Sequence, residues 1–390
     1  MVNDGVLIVG GGLAASRCAE TLRRLGFERR VRIVCGEAHL PYDRPPLSKD
    51  LLAVDASGEA PVFRDGDWYG EREIELLCGA RATALDPGAQ LVVLADGTTL
   101  SYETLVIATG ARARRLALFE GRENVSTLRT LEDTEALRSV FRDKRRLAVI
   151  GAGFIGQEVA AAARAADAEV TVIELEELPL VGLLGPEIGR WFADLHLANG
   201  VELILGAQVA GVAGERRVAS IELSDGREIA CDHVLVGVGV EPEVGWLESA
   251  GLPAGGVCAD ELGRTELPGV YAAGDAAAVY DPFLARNVLS GHWEAAARQG
   301  VQVATSILGR EPAPAPLSSF WSDQYGKRIQ YLGHAPLADA IEIDGDPAAG
   351  DFVAHYTRAG TLVAALVVGR PRAVGQLRES LRYMTERTAA

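Results

Sequence analysis

Two glycine-rich stretches carry the clearest chemistry in this chain. Val6-Leu7-Ile8-Val9 runs into Gly10-Gly11-Gly12-Leu13-Ala14-Ala15, and Leu147-Ala148-Val149-Ile150 runs into Gly151-Ala152-Gly153-Phe154-Ile155-Gly156. Glycines in such a turn let the backbone approach a pyrophosphate. The helix that follows points free N–H groups and a positive dipole at the anion. A single stretch of this kind is weak, because small residues at turns also serve plain packing. Here each copy follows an apolar run suited to a buried parallel strand and opens a helical pattern. Each then leads to a second strand before an acid: Val31 to Cys35 before Glu37, and Val170 to Ile173 before Glu174. An acid in that place accepts hydrogen bonds from ribose hydroxyls, so the sequence predicts two dinucleotide sites.

The duplication extends further. Gly79-Ala80-Arg81 is echoed by Gly206-Ala207-Gln208, and the turn at Asp96-Gly97 by one at Asp225-Gly226. Each hairpin leads into a strand ending in glycine, Val106-Ile107-Ala108-Thr109-Gly110 and Val234-Leu235-Val236-Gly237-Val238-Gly239. Far downstream stands Ala272-Ala273-Gly274-Asp275. Gly-Asp is a common turn. After two nucleotide folds it also implies a first domain completed by a later segment, with the second fold inserted. Asp275 would bond a ribityl chain, and Gly274 would open a helix toward the second phosphate. That order places FAD in the first fold and a nicotinamide cofactor in the second. The segment Pro41-Tyr42-Asp43-Arg44-Pro45-Pro46-Leu47-Ser48-Lys49 follows Glu37. Its adjacent prolines fix the chain and present Arg44 and Lys49 rigidly. Those are either solvated charges on a surface turn or fixed cations beside a flavin, whose ring gains negative charge on reduction.

The framework that positions these residues fits the rest of the chain. Length of 390 residues predicts two or three domains, and 48% hydrophobic residues with no low-complexity tract are ordinary for a globular protein. A net charge of −16 argues against nucleic acid as the main partner. Met1-Val2-Asn3-Asp4 lacks the basic region of a signal peptide, and no apolar run approaches the roughly 18 residues that span a bilayer. The expectation is a cytoplasmic protein with no membrane contact. Cys18, Cys35, Cys78, Cys231 and Cys258 contain no closely spaced pair. They read as small buried hydrophobes rather than a redox dithiol or a metal knuckle. From about Leu317 the pattern changes to strands at 327–333, 352–356 and 362–368 and a helix at 374–387, preceded by a linker at Pro312–Pro316. The fold class is α/β: two Rossmann-like, glutathione-reductase-like dinucleotide domains plus a small α+β C-terminal domain. The expected boundaries are 1–114 with 238–316 for FAD, 115–237 for NAD, and 317–390 for the third unit.

The sequence also resembles the FAD-dependent, NADH-oxidising ferredoxin reductases, of the putidaredoxin reductase and biphenyl dioxygenase ferredoxin reductase type, with apoptosis-inducing factor a relative. The matching stretches are Arg44 to Lys49, Ala108-Thr109-Gly110-Ala111-Arg112, Gly151 to Glu158, Gly274-Asp275, His292-Trp293-Glu294-Ala295-Ala296 and Phe320-Trp321-Ser322-Asp323-Gln324. They cover nearly the whole chain. The resemblance implies FAD at Gly12, Ala15, Glu37, Arg44, Lys49, Ala82, Arg129, Asp275 and Trp293. It implies NADH at Gly153, Ile155, Gly156, Glu158, Glu174 and Gly239. Lys49 and Glu158 would meet near flavin N5, and Trp321, otherwise a plain core aromatic, would reach the flavin from the C-terminal domain. The implied activity is hydride transfer from NADH to FAD, then single electrons to a 2Fe–2S ferredoxin serving a haem-thiolate monooxygenase or a Rieske dioxygenase. Reduction of oxygen, rubredoxin or another acceptor, or NADH sensing without turnover, are the alternatives. Two departures bear on the partner. Glu176, Glu177 and the apolar run to Leu184 replace basic residues, and residues 284–291 are less basic than in such relatives. The expected ferredoxin contacts are Arg286, Arg298, Lys327 and Arg328.

Overall fold

A computed structural model describes residues 5–282, 284–311 and 317–388; the Pro312–Pro316 linker lies outside them. Strands made mostly of apolar residues can be buried on both faces, and the central strands of the parallel sheets, Val6–Val9 and Leu147–Ile150, are apolar throughout. The first sheet runs, from one edge to the other, Ile74–Cys78, Val31–Cys35, Val6–Val9, Thr104–Ile107 and Val270–Ala272, all parallel. The second runs Glu202–Ile204, Val170–Ile173, Leu147–Ile150, His233–Val236 and Val125–Ser126, again all parallel. The first four positions of the two sheets match in order, so the repeat seen in sequence is a repeat of topology. The fifth strand differs. The first sheet takes its last strand from far downstream, and the second takes its own from just upstream. The chain leaves and returns between the two units through Ala111–Ala113 and Val240–Pro242, which pair antiparallel.

The third unit is a five-stranded antiparallel sheet in the order Ser319–Gln324, Lys327–Gly333, Thr361–Val368, Asp351–Arg358, Ala340–Asp346. One face packs Leu332, Val353 and Val367 under Leu377 and Leu381 of the helix Pro371–Thr388. The other packs on Leu184, Ile188 and Phe192 of the helix Val181–Ala198. The three strands and the helix expected from sequence are present. The two edge strands were not expected, since Ser319–Gln324 is mixed in polarity and Ala340–Asp346 is mostly exposed.

Two local readings differ from the sequence. Residues after Gly274 were read as helical. They form one 3₁₀ turn, Gly274–Ala276, and then the strand Ala277–Asp281, held between Val257–Ala259 and Arg286–Val288. Alanine tolerates either state, and pairing on both sides decides it. Pro46 suits the first turn of a helix by its fixed φ, but the prolines at 45 and 46 open only a 3₁₀ turn, Pro45–Ser48. The long downstream helix is Trp293–Ile307, which lies against the first fingerprint helix, Leu13–Arg24. A Cβ on Gly300 would come within 2.3 Å of the Ala14 carbonyl oxygen.

Gly10 closes the first strand. Its φ is +130°, and a Cβ there would lie 2.0 Å from the carbonyl oxygen of Ala108. Gly10→Ala is therefore expected to lower stability by roughly 1–3 kcal/mol, measured as the urea midpoint. An unchanged midpoint would contradict the fold at this turn.

Candidate functional site

The two fingerprint helices begin in the same way, each on a glycine. Gly12 is the N-cap of Leu13–Arg24 and Gly153 the N-cap of Phe154–Ala165; neither helix has a side-chain cap or an acid in its first turn. The helix Leu131–Arg142, by contrast, has a complete capping box made by Thr130 and Asp133. Orphan N–H groups at a helix start need a partner. An external anion is one partner that such a helix start can take. A Cβ at Gly12 would meet nothing within 4 Å, so the backbone is open on that side.

A cleft of about 710 Å³ runs from this turn, lined by Gly10, Glu37, Arg44, Ala82, Thr109 and Arg129 among others. Four of the residues that the resemblance assigns to FAD, Glu37, Arg44, Ala82 and Arg129, thus share one cleft with the fingerprint glycine Gly10. The Glu37 carboxylate accepts from the Tyr42 hydroxyl at 2.6 Å and from Arg44 at 2.7 Å. Arg44 also donates to the Arg129 carbonyl. Arg129 in turn pairs with Asp275 at 2.8 Å and donates to the Ala111 carbonyl at 2.9 Å. Acid, two arginines and acid form one network joining the first unit to the downstream segment. Arg44 is accordingly bound to Glu37 rather than standing as a free cation. The Gly274 N–H is taken by Gln299 Oε1 at 2.8 Å. Ala15 and Ala108 are buried and support the turn from behind.

The residues of the second fold divide in two. Ile155 and Gly239 are exposed, and Gly151 and Gly153 partly so. Gly156 is closed, since a Cβ there would lie 2.2 Å from the Gly151 carbonyl oxygen. Glu174 accepts from the N–H groups of Ala152 at 2.5 Å and Glu176 at 3.0 Å, which fixes its carboxylate at the end of its strand.

Between the two folds, Lys49 Nζ lies 2.7 Å from Glu158 Oε2, with the lysine side chain 14% and the glutamate side chain 2% exposed. The same carboxylate accepts from the hydroxyls of Ser48 and, at 2.6 Å, Ser322. Ser322 was not singled out from sequence, although it adjoins Trp321. Trp321 stands edge-on to Trp293 with ring centroids 5.9 Å apart. The Trp293 indole donates to Asp43 at 2.7 Å, and Arg328 lies over the Trp321 ring. The four expected partner-contact cations differ in availability. Arg286 is exposed, whereas Arg298 is half-buried and bonded to Gln302 at 3.1 Å, and burial lowers its pKa. Lys327 donates to the Ala349 carbonyl at 3.2 Å, and Arg328 pairs with Asp323 at 3.4 Å.

Residues 4–300 match the family model described as pyridine nucleotide-disulphide oxidoreductase. The chain belongs to the pyridine nucleotide-disulphide oxidoreductase family. Residues 319–390 match a second model, the reductase C-terminal domain. The ferredoxin reductase subunit of a 5,5'-dehydrodivanillate O-demethylase from Sphingobium sp. is 38% identical over 94% of this chain and 90% of its own length. The ferredoxin reductase component of a chlorobenzene dioxygenase from Cupriavidus sp. is also 38% identical, over the same shares. Among solved structures, the covalent putidaredoxin reductase–putidaredoxin complex superposes with a TM-score of 0.93 at 34% identity, covering 98% of this chain and 93% of that one.

Despite the disulphide in the family's name, all five cysteines here are free thiols. Cys35 and Cys78 lie directly opposite on neighbouring strands, a proximity that their sequence spacing hid. Burial pushes the Cys35 thiol far up, so it stays protonated and a poor nucleophile. The pair sits at the strand ends leading to Glu37, away from the Lys49–Glu158 contact.

The ion pair has a pH signature of its own. In Lys49→Met the buried Glu158 has no cation, and breaking such a pair costs roughly 3–5 kcal/mol. The carboxylate can then fold cheaply only by taking up a proton, so the folded state binds more protons than the unfolded state and stability falls as pH rises. The expected result is a large loss in urea stability at pH 7.5 and a smaller one at pH 5. An equal loss at both would mean that Glu158 does not depend on Lys49.

Proposed function

We propose that this chain is an FAD-dependent NADH:ferredoxin oxidoreductase of the cytoplasm, delivering electrons to a 2Fe–2S ferredoxin that serves a haem-thiolate monooxygenase or a Rieske dioxygenase. The observation that carries this reading is the buried Lys49–Glu158 pair, which ties the first unit to the second fingerprint helix and is bonded by Ser322, the neighbour of Trp321 in the Trp293–Trp321 contact. FAD would lie in the unit formed by residues 1–114 and 238–316, NADH in residues 115–237, with 317–390 closing the site. When bound, FAD supplies hydride acceptance and one-electron release; the protein supplies orientation and electrostatics.

The chain's own residues divide that work. Gly10 and Gly12 bring the backbone N–H groups of the first helix to the FAD pyrophosphate, and Glu37, Arg129 and Asp275 orient its sugar portions. Gly153 and the second helix do the same for NADH, with Ile155 and Gly239 against its open face and Glu174 on its ribose. Lys49 places a cation where a reduced flavin ring carries negative charge, and Glu158 keeps that cation from being buried alone. Trp293 and Trp321 cover the flavin edge. The two cysteines that do meet lie at the adenosine end, so no dithiol stands at the Lys49–Glu158 contact to carry electrons out. The named activities of the relatives, which are ferredoxin reductase components of oxygenase systems, support the same acceptor.

Cofactor choice follows from charge. Glu174 is fixed at the ribose position, Glu176 and Glu177 follow it, and residues 175–184 contain no arginine or lysine. A 2′-phosphate would meet like charge with no cation to receive it. The expected preference for NADH over NADPH is about a hundredfold in kcat/KM, which requires only ~2.7 kcal/mol. Equal values would exclude this assignment.

Acceptor choice is tested separately. A net charge of −16 opposes docking of an acidic ferredoxin, so exposed cations near the tryptophan pair must decide the encounter. Reversing charge at Arg286 or Arg328 should raise the KM for a 2Fe–2S ferredoxin several-fold while sparing NADH-to-ferricyanide turnover. Ferredoxin turnover that is indifferent to salt and to both reversals would show that docking is not electrostatic.

A further inference from the structure

Glu158 is the end point of a longer chain of buried polar groups. Its Oε1 accepts from the Ser322 hydroxyl at 2.6 Å, and Ser322 Oγ accepts from Gln324 Nε2 at 3.1 Å. Gln324 Oε1 lies 3.1 Å from His196 Nε2, and His196 Nδ1 lies 2.8 Å from the Tyr325 hydroxyl. Gln157 Oε1 also lies 3.1 Å from His196 Nε2, and its amide nitrogen donates to the Ala152 carbonyl at 2.8 Å. Ser322, Gln324, His196 and Gln157 are each at most 1% exposed. They come from different places: Gln157 and Glu158 from Phe154–Ala165, His196 from Val181–Ala198, Ser322 and Gln324 from Ser319–Gln324, and Tyr325 from the turn after it.

The donor directions are settled by elimination. Ser322 has one proton, and a carboxylate can only accept it. Gln324 gives its N–H to Ser322, so its oxygen must accept from His196. Both amide oxygens facing His196 Nε2 require a proton on that nitrogen, which leaves Nδ1 to accept from Tyr325. Burial lowers the His196 pKa to about 4, so the ring stays neutral with this one tautomer. Every hydrogen bond along Tyr325–His196–Gln324–Ser322 therefore points toward Glu158, while the branch through Gln157 ends on the Ala152 carbonyl. The glutamine amide in the middle does not pass protons readily, so the chain orients charge rather than conducting it.

We propose that the Tyr325–His196–Gln324–Ser322 chain is a positioning device by which the C-terminal unit holds Glu158 ionised and turned toward Lys49. It rests on the proposed function only in placing that pair beside a flavin. The charged and titratable groups on the elements packed against the Glu158 helix are few. Lys49 contacts the carboxylate directly, His196 and Tyr325 act through the chain, and Asp323 projects from the opposite face of its strand and pairs with Arg328. The two strands beside the helix, Leu147–Ile150 and Val170–Ile173, carry no charge, and Glu174 beyond them is bound to backbone.

Infrared difference spectroscopy between pH values reads the protonated carboxylic C=O band of Glu158, identified as the band that Glu158→Gln abolishes. Losing one hydrogen bond to the anion in Ser322→Ala should raise the pH at which this band appears by about 1–2 units, the worth of one such bond. Ser322→Thr keeps the hydroxyl and should restore the parent midpoint. Tyr325→Phe, which spares the ring packing and serves if Ser322→Ala does not fold, should raise it by about half a unit through a weaker chain. Midpoints in Ser322→Ala and Tyr325→Phe equal to the parent would overturn the proposal and leave Lys49 and Ser48 as sufficient. The band needs no flavin. An infrared shift with an unmoved flavin midpoint potential supports the chain and counts instead against the flavin lying beside Lys49.

Discussion

A carboxylate can be buried only where donors surround it, and much of this architecture meets that demand for Glu158. Its side chain is 2% exposed and draws hydrogen bonds from two other parts of the chain. The first unit supplies Ser48 and Lys49 through a turn stiffened by two prolines. The C-terminal sheet supplies Ser322 from its edge strand. The helix bearing Glu158 is itself part of the second nucleotide unit. Desolvating two charges is costly, and the cost is met only when geometry and further hydrogen bonds are good. The three units therefore cannot be placed independently. Moving any one of them strips a partner from a charge already out of water.

The second organising demand is the opposite one, since helix ends are left unsatisfied by intent. Leu131–Arg142 meets its own N-terminal needs with Thr130 and Asp133. Leu13–Arg24 and Phe154–Ala165 do not, and glycine caps hold their starts open. Val181–Ala198 and Trp293–Ile307 also start without a side-chain cap, so what sets the two fingerprint helices apart is the glycine in the cap position.

Much of this was legible in the residues. The apolar runs, glycine turns and terminal acids marked both parallel sheets, because a buried parallel strand has to be continuous in hydrophobicity. Residues 327–333 and 362–368 are legible as strands from their β-branched, aromatic and aliphatic residues between turn signals. The failures share a cause as well. Ser319–Gln324 mixes polar and apolar residues because one face meets buried polar groups of another unit and the other faces the tryptophan contact. No periodicity survives that double duty. His196 looked like an ordinary helix residue, and only the fold brings it to Gln324. Cys35 and Cys78 are far apart in sequence, and only strand register sets them opposite one another. The helical look of the alanines after Gly274 was overridden by pairing on both sides. Local pattern reports the layers, whereas polar contacts between layers depend on a third dimension that it does not encode.

The borrowed edge strand has a consequence in time. Thr104–Ile107 is complete early in synthesis, but its partner Val270–Ala272 emerges only after the whole second sheet has been made. At about 5–20 residues per second, that leaves a bare hydrogen-bonding edge on the nascent first sheet for roughly 10–30 s. The newborn chain is thus open to mispairing throughout that interval. The inserted unit sets its length, because every residue added there delays closure of the sheet that preceded it.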